Sequence, residues 1–456
     1  MTAYMVSGAV MTIVIGRLAD IYGAKKMLMM MMICYTVGTM LAGFAQDIST
    51  LIAIRTLQGI AVAVMPIGFK IVRDQFPKGK FSVGQSVLTS LYSGGMVVGV
   101  ILGPSIVQGL GWQSVFYMCA PIAVVLLFIS WRFLRVDESS KIHEANNVVG
   151  GDDDHNDSRP GDIGKARSTS SKQHIDMKGI LTMAVALISF LIAITYSGSI
   201  ASNSVLFIVP LVVGIISLIL FIIVEKRVRS PLVDLKLMFH PVIFAGNMSM
   251  LMLGIVQYIV ITAIPQIGAA PSPSGLGIDA EKVGLLQLPF GLATLILGPV
   301  FGVLALRKGF NLKLMTPAMI FVTISFLLLT LFHSTPSQIA GNLVLFGIGA
   351  GLLPVTLVNT LISFTPREFT GISSAATSTM RIVGGAIGPV ITTVILSSSL
   401  VPITVDGATK DFPSPITFTI VFGIAVIMSI ASLVLVYRVK HLATKMAATP
   451  PSSAGS

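Results

Sequence analysis

The chain has 456 residues, 54% of them hydrophobic and only 11% charged, and its mean hydropathy is +0.89. Soluble globular domains carry about 25% charged residues, so this composition excludes that class and implies a polytopic membrane protein. The formal net charge of +11 would suit a nucleic-acid partner only if the cations clustered accordingly. Cys34 and Cys119 both fall in apolar runs, which leaves no disulfide framework and no reading of redox compartment.

A bilayer core of about 30 Å needs roughly 20 apolar residues per helix, because lipid offers no partner to unpaired backbone groups. The chain opens with a run, Thr2 to Ile15, that is short for a span. Longer runs predict spans near residues 27–45, 50–69, 84–107, 115–134, 179–200, 203–224, 242–264, 284–304, 314–332, 338–362, 372–398 and 416–437. The fold class is therefore all-α, with about thirteen spans. GRLADIYGAKK, Gly16 to Lys26, reads as a short polar turn between the first two. Gly16 and Gly23 would allow tight backbone turns, Asp20 suits a helix N-terminus or a cation, and Lys25 and Lys26 suit lipid headgroups.

Placing that turn in the cytoplasm puts 26 of the 30 Lys and Arg residues on the inner side, leaves Lys282 and Lys410 outside, and sets Arg55 and Arg381 within spans. The expected location is the cell membrane with a cytoplasmic C-terminus, and the basic excess needs no nucleic acid. Met1 would then lie outside, before a helix with no basic flank, which reads as one helix missing upstream. The positively charged leader of a cleaved signal peptide is absent.

Two patterns recur. Gly16, Leu18, Ala19 and Gly23 match Gly302, Leu304, Ala305 and Gly309, and GVILGP (Gly99, Gly103, Pro104) matches GGAIGP (Gly384, Gly388, Pro389) at nearly the same offset. A duplicated helical bundle follows. The expected organisation is an N-terminal bundle at 1–136 lacking its first helix, a disordered cytoplasmic linker at 137–178 containing DDDHND, and two inserted spans at 179–224. A cytoplasmic loop at 225–240, a six-helix bundle at 241–440 and a cytoplasmic tail at 441–456 complete it.

Within the second inward span, LIAIRTLQGIAVA places Arg55, Gln58 and Gly59 at spacings of three and four, on one helical face. An arginine inside a span faces a cavity or partner unless it snorkels, and Arg55 is close enough to the outer end to do so. Arg381 lies about 13 Å into its helix at 1.5 Å per residue, too deep for that escape. Gly95, Gly99 and Gly103 form a small face for close helix packing, and Pro104 bends the span.

In this order, GRLADIYGAKK, LIAIRTLQGIAVA and GVILGP resemble the major facilitator superfamily. With the two inserted spans and EKRVRSPLVDLKLM, the chain is similar to its fourteen-span drug/proton antiporter branch. The resemblance implies two pseudo-symmetric six-helix bundles around a midplane cavity, working by rocking. It implies gating through Gly16, Asp20, Gly23 and Lys25, and proton coupling through Arg55, Gln58 and Gly59, with Arg381 a further cavity or gating candidate. It also makes Gly95, Gly99, Gly103 and Pro104, with their repeat Gly384, Gly388 and Pro389, a sliding interface. Ile21 and Ala24 stand where the family has basic residues, and Val107 and Gln108 where it has glycines.

All nineteen acidic residues fall in loops, span ends or the linker, and no histidine lies mid-membrane. A proton-coupled exporter needs a titratable carboxylate. Either that group belongs to the absent helix, where the family carries an Asp, or the substrate is an anion. Gln257, Tyr258, Gln287, Asn342 and Asn359 are candidate cavity residues, each equally readable as an interhelical hydrogen bond. Met27 to Met32 spread over all faces of one helix, as lipid packing requires.

The expected function is export of amphipathic small molecules by proton antiport, with no enzymatic activity, no cofactor, no metal and a monomeric state. The chain has no Walker loop for ATP. Export of an endogenous anionic metabolite is the alternative within transport, and a non-transporting sensor or inactive fragment the alternative outside it.

Overall fold

Each apolar run becomes a helix, because a helix satisfies its own backbone where the surroundings cannot. The computed structural model describes residues 2–76, 81–134, 177–196, 204–227, 238–305, 307, 310–365, 370–405 and 408–448. The first group of helices is α1 (Thr2–Tyr22), α2 (Ala24–Ala42), α3 (Ile48–Gln75), α4 (Phe81–Leu110) and α5 (Gln113–Phe133). The pair α6 (Met177–Thr195) and α7 (Val205–Arg227) follows, and most of the expected linker lies outside the described residues. The last group is α8 (Pro241–Ala269), α9 (Gly284–Leu304), α10 (Phe310–Leu331), α11 (Pro336–Ser363), α12 (Thr370–Ser398) and α13 (Pro415–Ala448). Among the described residues, ten helices are long and apolar enough to cross a membrane; α1, α2 and α6 complete the set.

Helix ends differ from the apolar runs in an instructive way. GRLADIYGAKK is not a turn: α1 continues through Asp20 to Tyr22, and the break is the single residue Gly23, at φ 95°. Polar residues at a membrane surface still form backbone hydrogen bonds, so loss of hydropathy does not end a helix; a left-handed glycine does. Gly16 is thus an interior helix residue rather than a turn. At the start of α3, Asp47 accepts from the Thr50 backbone N–H and hydroxyl, both at 2.7 Å, while Thr335 caps α11 with Pro336 in its first turn. The segment between α12 and α13 forms an antiparallel hairpin, β1 (Leu400–Val405) with β2 (Ala408–Pro413), in register Val401 to Phe412. Pro402 and Pro413 mask that pairing in the sequence.

The two groups meet reciprocally: α1 packs on α12 and α4 on α9, while α6 pairs with α7 and touches α1 and α12. A further sign of duplication is a close crossing in each half. A side chain at Gly59 would strike the Tyr4 carbonyl where α3 crosses α1, and one at Gly347 would lie 2.7 Å from the Phe290 carbonyl where α11 crosses α9. In the first crossing the α3 backbone tightens to a 3₁₀ turn, Gly59–Ala63.

Packing is unequal between the halves. In the last group a continuous core joins α8 to α11 and α13, with the Phe346 ring 5.0 Å from Phe290 and 5.4 Å from Phe326. The buried cluster of the first group comprises Ile15, Ala19, Ala24, Met31, Ala63 and Ile67. The buried share is 17–18% in the apolar windows of α3 to α5, against 33–78% in α8 to α13.

Candidate functional site

A cavity of about 400 Å³ opens between the two groups of helices, within the range of small-molecule sites. Its wall draws Tyr4 from α1, Tyr35 from α2, Phe69 from α3, Gln85 and Tyr92 from α4, Leu126 from α5, Tyr258 from α8, Val358 from α11 and Arg381 from α12. Four of the chain's eight tyrosines therefore face one space. Tyr258 of α8 lies beside Tyr92 of α4 across the two halves, with Arg381 on the same wall. Tyr4 packs with Tyr258 against Ala386 and Ile387 of α12.

Local sequence explains these positions. A side chain at Gly385 would stand 2.7 Å from the Tyr258 ring, so glycine lets that ring lie against α12. Gln85 is 1% exposed, and its Oε1 has no hydrogen-bond partner among the described residues. Unpartnered buried carbonyls are costly, so this one is suited to a donor on a bound molecule. Met32 and Met65 add flexible apolar wall that can follow ligands of different shape.

The structure brings together some of the residues singled out in the sequence and separates others. Gln257, Tyr258 and Arg381 line the cavity. Asn359 is absent from the lining and is already engaged in an interaction. Gln287 donates to the Ile261 carbonyl at 3.1 Å and Asn342 to the Phe332 carbonyl at 2.9 Å, so both are engaged in bonds to neighbouring elements.

Arg55, Gln58 and Gly59 lie in one sector of α3 but differ in burial and partners. Arg55 is exposed, its guanidinium 4.8 Å from the Phe116 ring centre, whereas Gln58 and Gly59 are buried. The Gln58 amide donates to the Thr39 hydroxyl of α2 at 3.0 Å, and Gly59 faces α1. Spacings of three and four span a sector wide enough for two neighbours to claim its opposite edges. Gly23 is the α1–α2 break, Lys25 lies in the first turn of α2, and the side chain of Asp20 lies outside the described residues.

The two glycine stripes also differ. Side chains at Gly384 and Gly388 would collide with the α8 backbone, at the Leu251 and Ile255 carbonyls, so α12 and α8 are in direct backbone contact. Around Gly95, Gly99 and Gly103 the same construction meets nothing within 4 Å among the described residues, so the expected close packing holds for the second copy and not the first. Pro104 and Pro389 sit inside α4 and α12. Between the halves, the side chains of Ser90 and Val97 of α4 approach Gly298 and Gly291 of α9 so closely that a larger residue there would displace them.

Tyr4, Tyr35, Tyr92 and Gln85 were not anticipated. Their signal was a polar aromatic or amide inside an apolar run, which also describes an ordinary interhelical hydrogen bond. Among the described residues no group of three His, Cys, Asp or Glu side chains could hold a metal ion, and none of these residue types lines the cavity.

Comparison with known proteins follows the same lines. A family model described as Major Facilitator Superfamily matches residues 1–389 and 242–454. The multidrug transporter protein MdtP of Bacillus subtilis (strain 168) is 24% identical over 391 residues, 85% of this chain and 66% of the relative. Multidrug resistance protein 3 of the same organism is 26% identical over 396 residues, covering 85% and 69%. The chain thus spans about two thirds of these relatives' length. Among solved structures, that of an auto-inhibited POT family peptide transporter superposes with a TM-score of 0.59 at 15% identity, over 100% of this chain and 89% of the other, a likeness of fold.

Proposed function

The chain belongs to the Major Facilitator Superfamily, and on that premise we propose that it exports amphipathic small molecules across the cell membrane by alternating access coupled to proton antiport. The observation that carries this reading is the cavity between the halves, whose tyrosines, methionines and few polar groups suit molecules with an apolar body and a polar end. The names of the relatives, a multidrug transporter and a multidrug resistance protein, support the same class of cargo.

Rocking of one helix group against the other is favoured by the reciprocal α1–α12 and α4–α9 interfaces, because small residues such as Gly291 and Gly298 let helices slide without interlocking side chains. The gating role of Gly16, Asp20, Gly23 and Lys25 fits the place of α1 in one of those interfaces. Proton coupling rests on the family resemblance of LIAIRTLQGIAVA, which holds Arg55, Gln58 and Gly59.

The test is efflux of an amphipathic fluorescent dye from proteoliposomes containing the full chain, under an imposed pH gradient. Gradient-dependent movement that stops when nigericin collapses the gradient supports the proposal. Efflux indifferent to the gradient removes antiport, and no efflux at all removes transport by this chain.

A further inference from the structure

Within the transport reading just given, we propose that the cavity selects amphiphiles carrying a carboxylate, which Arg381 receives while the aromatic body lies among the tyrosines. Arg381 is the charged side chain of the cavity wall, and no acidic residue accompanies it there. It stands eleven residues beyond Thr370, the start of α12, about 16 Å along the helix at 1.5 Å per residue. Snorkelling to either end of a 29-residue helix is out of reach from that depth.

The ion pairs Arg73 with Asp74 and Lys282 with Asp279 lie away from the cavity, and no carboxylate among the described residues lines the wall beside the guanidinium. A cation held in a low-dielectric space without a counter-charge is unfavourable, and a ligand that brings the counter-charge relieves that cost. Guanidinium geometry favours a planar, bidentate acceptor, which is what a carboxylate offers.

The surroundings extend the match. Tyr92 and Tyr258 line the same wall as Arg381, and their hydroxyls can turn a donor toward an anion. Gln85, buried and with its Oε1 unpartnered, offers an acceptor to an N–H or O–H elsewhere on the same molecule. A lipophilic cation would meet Arg381 with no acid to neutralise either charge.

The experiment uses the purified full chain in detergent and three matched fluorescent probes: dansylglycine (anionic), dansylglycinamide (neutral) and dansyl-ethylenediamine (cationic). Dansylglycine is expected to bind at least tenfold more tightly than the cationic probe. Arg381→Gln should erase that preference, weakening the anion about tenfold and leaving the amide unchanged, and Arg381→Lys should restore part of it. Lys410→Gln, the same charge change on the exposed hairpin, should alter nothing. Equal or tighter binding of the cationic probe overturns the inference, as does unchanged dansylglycine binding in correctly folded Arg381→Gln. Failure of all three probes while dye efflux persists also overturns it and leaves transport standing. Failure of the probes together with absent efflux sinks the transport reading as well.

Discussion

Replacing Gly388 by alanine tests one of the close backbone contacts between α12 and α8. The added methyl carbon would stand 2.5 Å from the Ile255 carbonyl oxygen and 3.1 Å from the Ile259 nitrogen, both backbone atoms of α8 that cannot rotate away. Restoring an ordinary separation of about 3.5 Å requires α8 and α12 to part by about 1 Å. Overpacking of that kind costs about 1–3 kcal/mol, partly offset by the gain of up to about 1 kcal/mol when alanine replaces glycine in a helix. Gly103 occupies the matching place in α4, yet a methyl group there meets nothing within 4 Å among the described residues. Gly103→Ala should therefore keep only the helix-propensity gain. The propensity gain is common to both variants and cancels, so they should differ by about 1–3 kcal/mol, read as a lower unfolding midpoint for Gly388→Ala than for Gly103→Ala in dodecyl maltoside followed by far-UV circular dichroism. Equal destabilisation by both would show that the first glycine stripe is covered, and a Gly388→Ala midpoint raised as far as that of Gly103→Ala would show that α8 and α12 are not in backbone contact.

Three further outcomes are expected. Thr39→Val strands the buried Gln58 amide, whose Oε1 already lacks a partner, and should cost about 1–3 kcal/mol; Gln58→Met leaves Thr39 bonded to the Tyr35 carbonyl and should cost less, and the reverse order in thermal unfolding would contradict the assigned bond. Asp47, held below its ordinary carboxylate value of 3.8 by hydrogen bonds from the Thr50 backbone and then its side chain, caps α3 while ionised. Because the folded pKa is the lower one, this cap's contribution is complete above the ordinary value and fades as pH falls through the folded pKa. Hydrogen exchange over residues 48–52 should accelerate in that acid window, whereas Asp47→Asn, which keeps an acceptor but cannot titrate, should show no such step. Asp20→Asn should insert normally but slow dye efflux, and undiminished efflux would remove Asp20 from the gate.

Much of the fold was legible along the chain because burial in lipid is a summed local property. Twelve runs predicted from hydropathy alone each overlap one of the helices α2 to α13, and Thr2 to Ile15 became the greater part of α1. Helix termini were less legible, since a helix ends where backbone geometry changes, as at Gly23, and not where apolar residues give way to Arg17 or Asp20. The site was legible only in part. Arg381 stood out because charge inside a span is rare, and Gln257 with Tyr258 because polar side chains there are few. Nothing local distinguishes Tyr92, which lines the cavity, from Asn342, which ties off a helix end.

By itself the sequence determined the membrane class, the helical architecture and the duplication, for these follow from composition, from the length of apolar runs and from motifs at a common offset. Only the tertiary structure decided which face of each helix meets which neighbour. It set Tyr92 beside Tyr258, left Arg55 exposed while burying Gln58 against α2, and pressed Gly388 onto α8 while leaving Gly103 open. A helix presents every direction around its axis, and the choice among them is made by partners remote in the chain, which no local pattern encodes.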